Sequence, residues 1–162
     1  RYAKFNQSKS WVTSGGLGTM GFALPAAIGA WYGAPEKTVV TIIGDGGFQM
    51  TLQELGTIMQ FGAKVKIIIL NNEFLGMVRQ WQQLFNEKRY SFVNITSPDF
   101  VAVAKAYGID GQRISKRPDL KKALGAMLNH DGAYLLEVLV GKENNVFPMV
   151  TQGSSVSEIR LK

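Results

Sequence analysis

At 162 residues the chain is read as one domain with a single sizeable core, and its 46% hydrophobic and 19% charged content is that of a soluble globular protein. No apolar run approaches the roughly 20 residues of a membrane span and no leader pattern opens the chain, so no membrane role is expected; zero cysteines exclude a disulfide framework and a thiolate metal site, which suits the cytoplasm. The net charge of +6 is read as a solvated surface that favours anionic ligands rather than nucleic acid, because the densest basic patch (Arg113, Lys116, Arg117, Lys121 and Lys122) has no aromatic among it.

In chain order, residues 1–10 are polar and basic and read as a connection; an opening on Arg1 rather than Met suits a piece of a longer chain. Residues 11–13 are expected to form a short strand. Gly16, Gly18 and Gly21 then spell G-x-G-x-x-G, the dinucleotide fingerprint. That fingerprint should follow a strong apolar strand, and three residues make a poor one. The acid at about the right distance, Asp45, sits inside a glycine cluster rather than on a bare strand end. The favoured alternative is a loop that brings backbone close to a flat heterocycle. A helix over residues 22–32 follows, packed with small residues and ended by Gly33, Ala34 and Pro35.

Two Val/Ile-rich runs, 39–43 and 65–70, are apolar on both faces and read as buried parallel strands. Leu52, Leu55, Ile58 and Met59 recur at helical spacing between them, which completes a βαβ unit with a helix over 49–61. Each strand ends in a polar cluster, Gly44-Asp45-Gly46-Gly47 and Asn71-Asn72-Glu73, and parallel strands bring both to one carboxyl edge. Asp45 and Asn72 offer hard oxygen donors suited to Mg²⁺, with a backbone carbonyl beyond Asn72 as a third. The glycines and the helix that starts near Phe48 suit a phosphate. Either cluster alone reads as an ordinary turn; the pair, 27 residues apart, points to a magnesium diphosphate.

A second helix is expected over 75–85, with Met77, Trp81, Leu84 and Phe85 on one face. Residues 87–97 read as a surface loop, 100–107 as a helix closed by Gly108, 111–114 as a strand, 118–128 as a helix and 133–140 as the last strand. Glu54 reads as a surface or structural carboxylate. His130, the one histidine, reads as a turn residue, and Asn144-Asn145 as a loop. Alternation of strands and helices implies a three-layer α/β/α domain with a mostly parallel sheet over residues 1–142, then a tail over 143–162.

The GDG…NN pair resembles the cofactor motif of thiamine diphosphate enzymes. The words SGGLGTMGFALPAAIGA at 14–30, GDGGFQMTLQEL at 44–55 and NNEFLGMVRQWQ at 71–82 resemble the C-terminal, cofactor-binding part of acetolactate synthase large subunits, of the transferase class. The resemblance implies the thiamine diphosphate-binding fold, with a sixth strand that the residues do not locate. It implies thiamine diphosphate held by Gly18, Met20, Gly44, Gly46, Gly47, Gly76 and Met77, with the Gly18 carbonyl and Met20 N–H on the aminopyrimidine and the Met20 side chain under the bend between the rings. It also implies Mg²⁺ on Asp45, Asn72 and the Phe74 carbonyl, and an acceptor pocket shaped by Val78 and Trp81. Pyruvate and 2-oxobutanoate would be substrates, FAD would bind elsewhere in the full enzyme, and the tail would close as a lid. A homodimer partner would supply the pyrimidine-binding domain and its glutamate, and a regulatory small subunit can accompany such enzymes. The 162 residues alone are therefore expected to be inactive, in a protein serving branched-chain amino acid synthesis.

Overall fold

A computed structural model describes residues 3–161; Arg1 and Tyr2 of the expected connection and Lys162 of the tail lie outside the described residues. Four strands form the main sheet: β1 (Val40–Gly44), β2 (Lys66–Asn71), β3 (Asp110–Ile114) and β4 (Tyr134–Leu139). Their order is β1-β2-β4-β3 and every pairing is parallel. The helices are α1 (Ala23–Gly33), α2 (Asp45–Gln49), α3 (Leu55–Phe61), α4 (Gly76–Phe85), α5 (Phe100–Ala106) and α6 (Leu120–Asn129).

One face of the sheet carries Ile43, Ile67, Ile69 and Leu135 into a core closed by Leu24 and Ile28 of α1, Phe48 of α2, Leu55 and Ile58 of α3, and Phe100 of α5. Phe48 and Phe100 meet edge to face with ring centroids 5.3 Å apart, a geometry that adds to simple burial. On the opposite face α6 lays Ala123 and Met127 against Ile114 and Leu136. Helices on both sides give the three layers expected. The second cover is partial: on the β1–β2 half, Val40 and Ile42 remain 42% and 57% exposed. α5 starts where Asp99 Oδ1 accepts the Val101 and Ala102 N–H groups, the N-cap arrangement.

Several expectations are corrected. Residues 11–13 form no strand; Trp11 stacks on Phe5 instead, with ring centroids 4.8 Å apart, because a three-residue run has too few ladder bonds to hold it. The helix over 49–61 is broken, since α2 already starts at Asp45 and a 3-10 turn, Leu52–Glu54, separates it from α3. The break is anchored by the Thr51 hydroxyl, which donates to the Gly21 carbonyl at 3.0 Å. A 3-10 turn, Arg117–Asp119, likewise precedes α6. Within the tail, β5 (Met149–Val150) and β6 (Ile159–Arg160) pair antiparallel.

The apolar stripe of α4 is the largest surprise. Met77 and Phe85 are 53% and 44% exposed, whereas the helix's polar residues Arg79 and Gln80 are 0% and 2% exposed. Gln80 Oε1 accepts the Val146 N–H at 2.7 Å, and Arg79 Nη2 donates to Asn145 Oδ1 at 2.6 Å. The tail therefore folds onto α4 by hydrogen bonds that helical periodicity of apolar residues does not register.

Candidate functional site

Because β1 and β2 run parallel with Gly44 opposite Leu70, both polar clusters emerge side by side at the carboxyl edge. They border a cavity of ≈ 780 Å³, which also receives the glycine loop before α1, the start of α4 and the Val140–Gly141 turn. That volume is in the usual range for a cofactor site. Gly18, Met20, Gly44, Asp45, Gly46, Gly47, Asn72, Phe74, Gly76, Met77 and Val78 all line it. Trp81 does not: it packs on Phe85 one turn farther along α4, with ring centroids 4.8 Å apart.

Asp45 is 1% exposed. Its Oδ2 accepts the Glu73 N–H at 3.0 Å and the Ser97 hydroxyl at 3.1 Å, and Oδ1 carries neither bond. Asn72 Oδ1 accepts the Phe74 N–H at 3.1 Å. Segment 93–95 pairs with the Glu73 carbonyl and the Leu75 N–H on either side of Phe74, so that pairing leaves the Phe74 carbonyl unused. A carboxylate oxygen, an amide oxygen and a backbone carbonyl therefore gather around one tight turn. Among the described residues no three His, Cys, Asp or Glu side chains converge. A cation here would draw on mixed oxygen donors, the chemistry suited to Mg²⁺ with phosphate oxygens completing its shell.

The space above Asp45 is shaped by Gly46. A Cβ there would stand 2.9 Å from Met20 Cε, 3.0 Å from Leu75 Cδ2 and 3.1 Å from Ile95 Cδ1. The Met20 thioether thus arches over Gly46 from the glycine loop, where the Ser14 carbonyl and hydroxyl hold the Gly18 and Thr19 N–H groups at 2.8 and 2.9 Å. The fold brings Met20, which the resemblance implies lies under a bent cofactor, from 26 residues away onto the GDGG turn.

The family profile described as thiamine pyrophosphate enzyme, C-terminal TPP binding domain, matches residues 1–138. The chain belongs to the thiamine pyrophosphate enzymes. Its fold is the α/β fold of their C-terminal thiamine pyrophosphate-binding domain. The chain is 51% identical over 155 residues, 95% of its length, to "Acetolactate synthase isozyme 2 large subunit" of Escherichia coli (strain K12). It is 49% identical over 160 residues, 99% of its length, to "Acetolactate synthase, mitochondrial" of Schizosaccharomyces pombe. It spans 28% and 24% of those relatives. A solved structure, the Rhodococcus jostii RHA1 thiamine diphosphate-dependent 4-hydroxybenzoylformate decarboxylase, matches 75% of this chain and 23% of its own at TM-score 0.70 and 33% identity.

Several residues of this thiamine pyrophosphate domain escaped the sequence reading. Ser97, in a stretch read as surface loop, bonds Asp45 directly. Asn144 borders the cavity although the second NN pair gave no motif. Arg113, counted in a solvated patch, donates to the buried Glu137 at 2.6 Å, and that bond holds the Arg113 proton more tightly than usual. One signal for the last was visible: Glu137 is the sole charge inside the apolar run 133–140. His130 stays outside the site, with Nε2 3.1 Å from Asp110 Oδ2.

Proposed function

We propose that this chain is the cofactor-binding part of an acetolactate synthase large subunit, a transferase that joins the two-carbon unit left by decarboxylation of pyruvate to a second 2-oxo acid. The observation that carries the reading is the joining of Asp45 to the 72–74 turn through one shared amide at the cavity wall. Bound thiamine diphosphate supplies the electron sink for decarboxylation and carbon–carbon bond formation. Asp45, Asn72 and the Phe74 carbonyl would hold Mg²⁺. N–H groups of Gly46, Gly47, Gly76 and Met77 would meet the diphosphate beside Gly44. Gly18 and Met20 would fix the pyrimidine end, and the Met20 side chain would keep the cofactor bent.

Val78 and, beyond it, Trp81 would shape the acceptor side, with pyruvate yielding 2-acetolactate and 2-oxobutanoate yielding 2-aceto-2-hydroxybutanoate. Residues 143–162 would serve as the lid. FAD, the pyrimidine-binding domain of a homodimer partner and a regulatory small subunit belong to the assembly so proposed, as does a cytoplasmic location and a place in branched-chain amino acid synthesis. The similarity of 51% to a synthase against 33% to a decarboxylase favours condensation over simple release of an aldehyde.

The test uses the full reading frame around this segment, incubated with pyruvate, thiamine diphosphate, Mg²⁺ and FAD, with products identified by NMR. Acetolactate is expected, and Asp45→Ala should abolish it at Mg²⁺ concentrations that saturate the wild type. The 162 residues alone should show no turnover. Acetaldehyde or acetate as sole product would keep the cofactor and reject the synthase.

A further inference from the structure

Glu137 stands in the middle of the parallel sheet and is 0% exposed, with Ile69 of β2 and Arg113 of β3 opposite it in the ladder. A carboxylate in that setting is costly unless its oxygens are bonded. Both are. Oε2 accepts from Arg113 Nε at 2.6 Å, and Oε1 accepts from Asn71 Nδ2 at 2.7 Å. Arg113 is held from its other side by Asp99, the cap of α5, at 3.1 Å.

Neither Glu137 nor Asn71 borders the cofactor cavity. Their reach to it runs through one amide. An ionised carboxylate only accepts hydrogen bonds, so Asn71 must offer its NH₂ to Glu137 and turn its carbonyl oxygen the other way. That oxygen accepts the Glu73 N–H at 3.1 Å, the same N–H that Asp45 Oδ2 takes at 3.0 Å. Glu73 has φ +54, a left-handed conformation that a glutamate keeps only where its surroundings hold it. Its chain neighbours are Asn72 and Phe74.

We propose that Asn71 and Glu137 are positioning residues for the metal turn, an inference that rests on the magnesium diphosphate reading above. Glu137 sets which way the Asn71 amide points. Asn71 then pins the Glu73 backbone, so that the Asn72 amide oxygen and the Phe74 carbonyl are presented beside Asp45 before any cation arrives. Without the Asn71 oxygen, the Asp45 carboxylate is left as the acceptor of the Glu73 N–H while it also has to serve the metal. Outer partners of this kind orient ligands that they never replace.

The test titrates Mg²⁺ into the full-length protein at fixed thiamine diphosphate and follows cofactor binding by calorimetry. Asn71→Ala should raise the half-saturating Mg²⁺ by about 10–100-fold, while affinity for thiamine diphosphate at saturating Mg²⁺ stays at the wild-type value. Glu137→Met, which fills the buried space but leaves Asn71 without its acceptor, should shift the same way. A merely structural role would lower the yield or melting point of the variants and leave the half-saturation of the folded protein unmoved.

A wild-type midpoint in Asn71→Ala, or in Glu137→Met if Asn71→Ala does not fold, overturns the proposal. A wild-type protein that binds thiamine diphosphate without Mg²⁺, or not at all, defeats the cofactor reading itself and is thereby told apart from failure of the positioning role.

Discussion

At the scale of single residues, Gly46 is the sharpest point of contact between motif and packing. The three groups that a Cβ would crowd are all side-chain ends, so the fold can yield to Gly46→Ala at a cost of about 1–3 kcal/mol. The yielding atom nearest to it is Met20 Cε, which stands over the turn. Gly46→Ala should therefore leave a cooperative melt in place and weaken thiamine diphosphate binding by about tenfold or more, some 1.4 kcal/mol. Unaltered binding would show that the yielding of these three side chains over the turn does not reach the cofactor. A second residue titrates against the fold: burial holds the Lys66 ammonium below its ordinary value of 10.5, despite attraction from Asp131. The unfolded chain then binds this proton more tightly than the folded one, so stability assignable to Lys66 rises as pH climbs toward 10.5. The urea midpoint of wild type relative to Lys66→Met should increase over that interval, and a pH-independent difference would refute it.

At the scale of elements, β3 and β4 come together more closely than their sequences announce. A Cβ on Gly111 would lie 2.6 Å from the Leu135 carbonyl oxygen, a backbone atom that cannot step aside without breaking the ladder. Gly111→Ala should cost about 1–3 kcal/mol or more, read as a lower denaturant midpoint, with Mg²⁺ half-saturation of the surviving folded protein unchanged. That contrast with Gly46→Ala separates a structural glycine from one that shapes the site. α4 teaches the converse lesson. Its apolar periodicity is real, but the tail's hydrogen bonds to Arg79 and Gln80 decide which side is buried. Met77 and Val78 are thereby left facing the cavity, 53% and 48% exposed. On the proposed synthase reading, a Trp81→Leu variant of the full protein should form less 2-aceto-2-hydroxybutanoate relative to 2-acetolactate when pyruvate and 2-oxobutanoate are both supplied. An unchanged product ratio would remove Trp81, which packs on Phe85, from the acceptor pocket.

At the scale of the whole molecule, the sheet is covered unevenly. α6 screens the β3–β4 half of one face, whereas Val40 and Ile42 on the β1–β2 half stay exposed, Ile42 beside the cavity. Ile42, Leu70 and Val140 give the cavity an apolar wall, and Asp45 with Asn72 gives it a polar one. A heterocycle joined to a charged diphosphate needs both kinds of wall in one groove.

The sequence by itself determined the βαβ unit, the parallel α/β class and the meeting of Asp45 with the NN turn, and the resemblance of its words at 14–30, 44–55 and 71–82 pointed to the family. The first three follow from local runs and from a rule of topology: parallel strands must bring their carboxyl ends to one edge. Tertiary structure alone decided that residues 11–13 form no strand, that the helix after GDGG breaks at Thr51, and that α4 buries Arg79 and Gln80. It alone placed Ser97 on Asp45 and Glu137 behind Asn71. All but the first depend on a hydrogen bond between groups far apart in the chain, and periodicity records only the apolar faces, not the partner that a buried polar group finds across the fold.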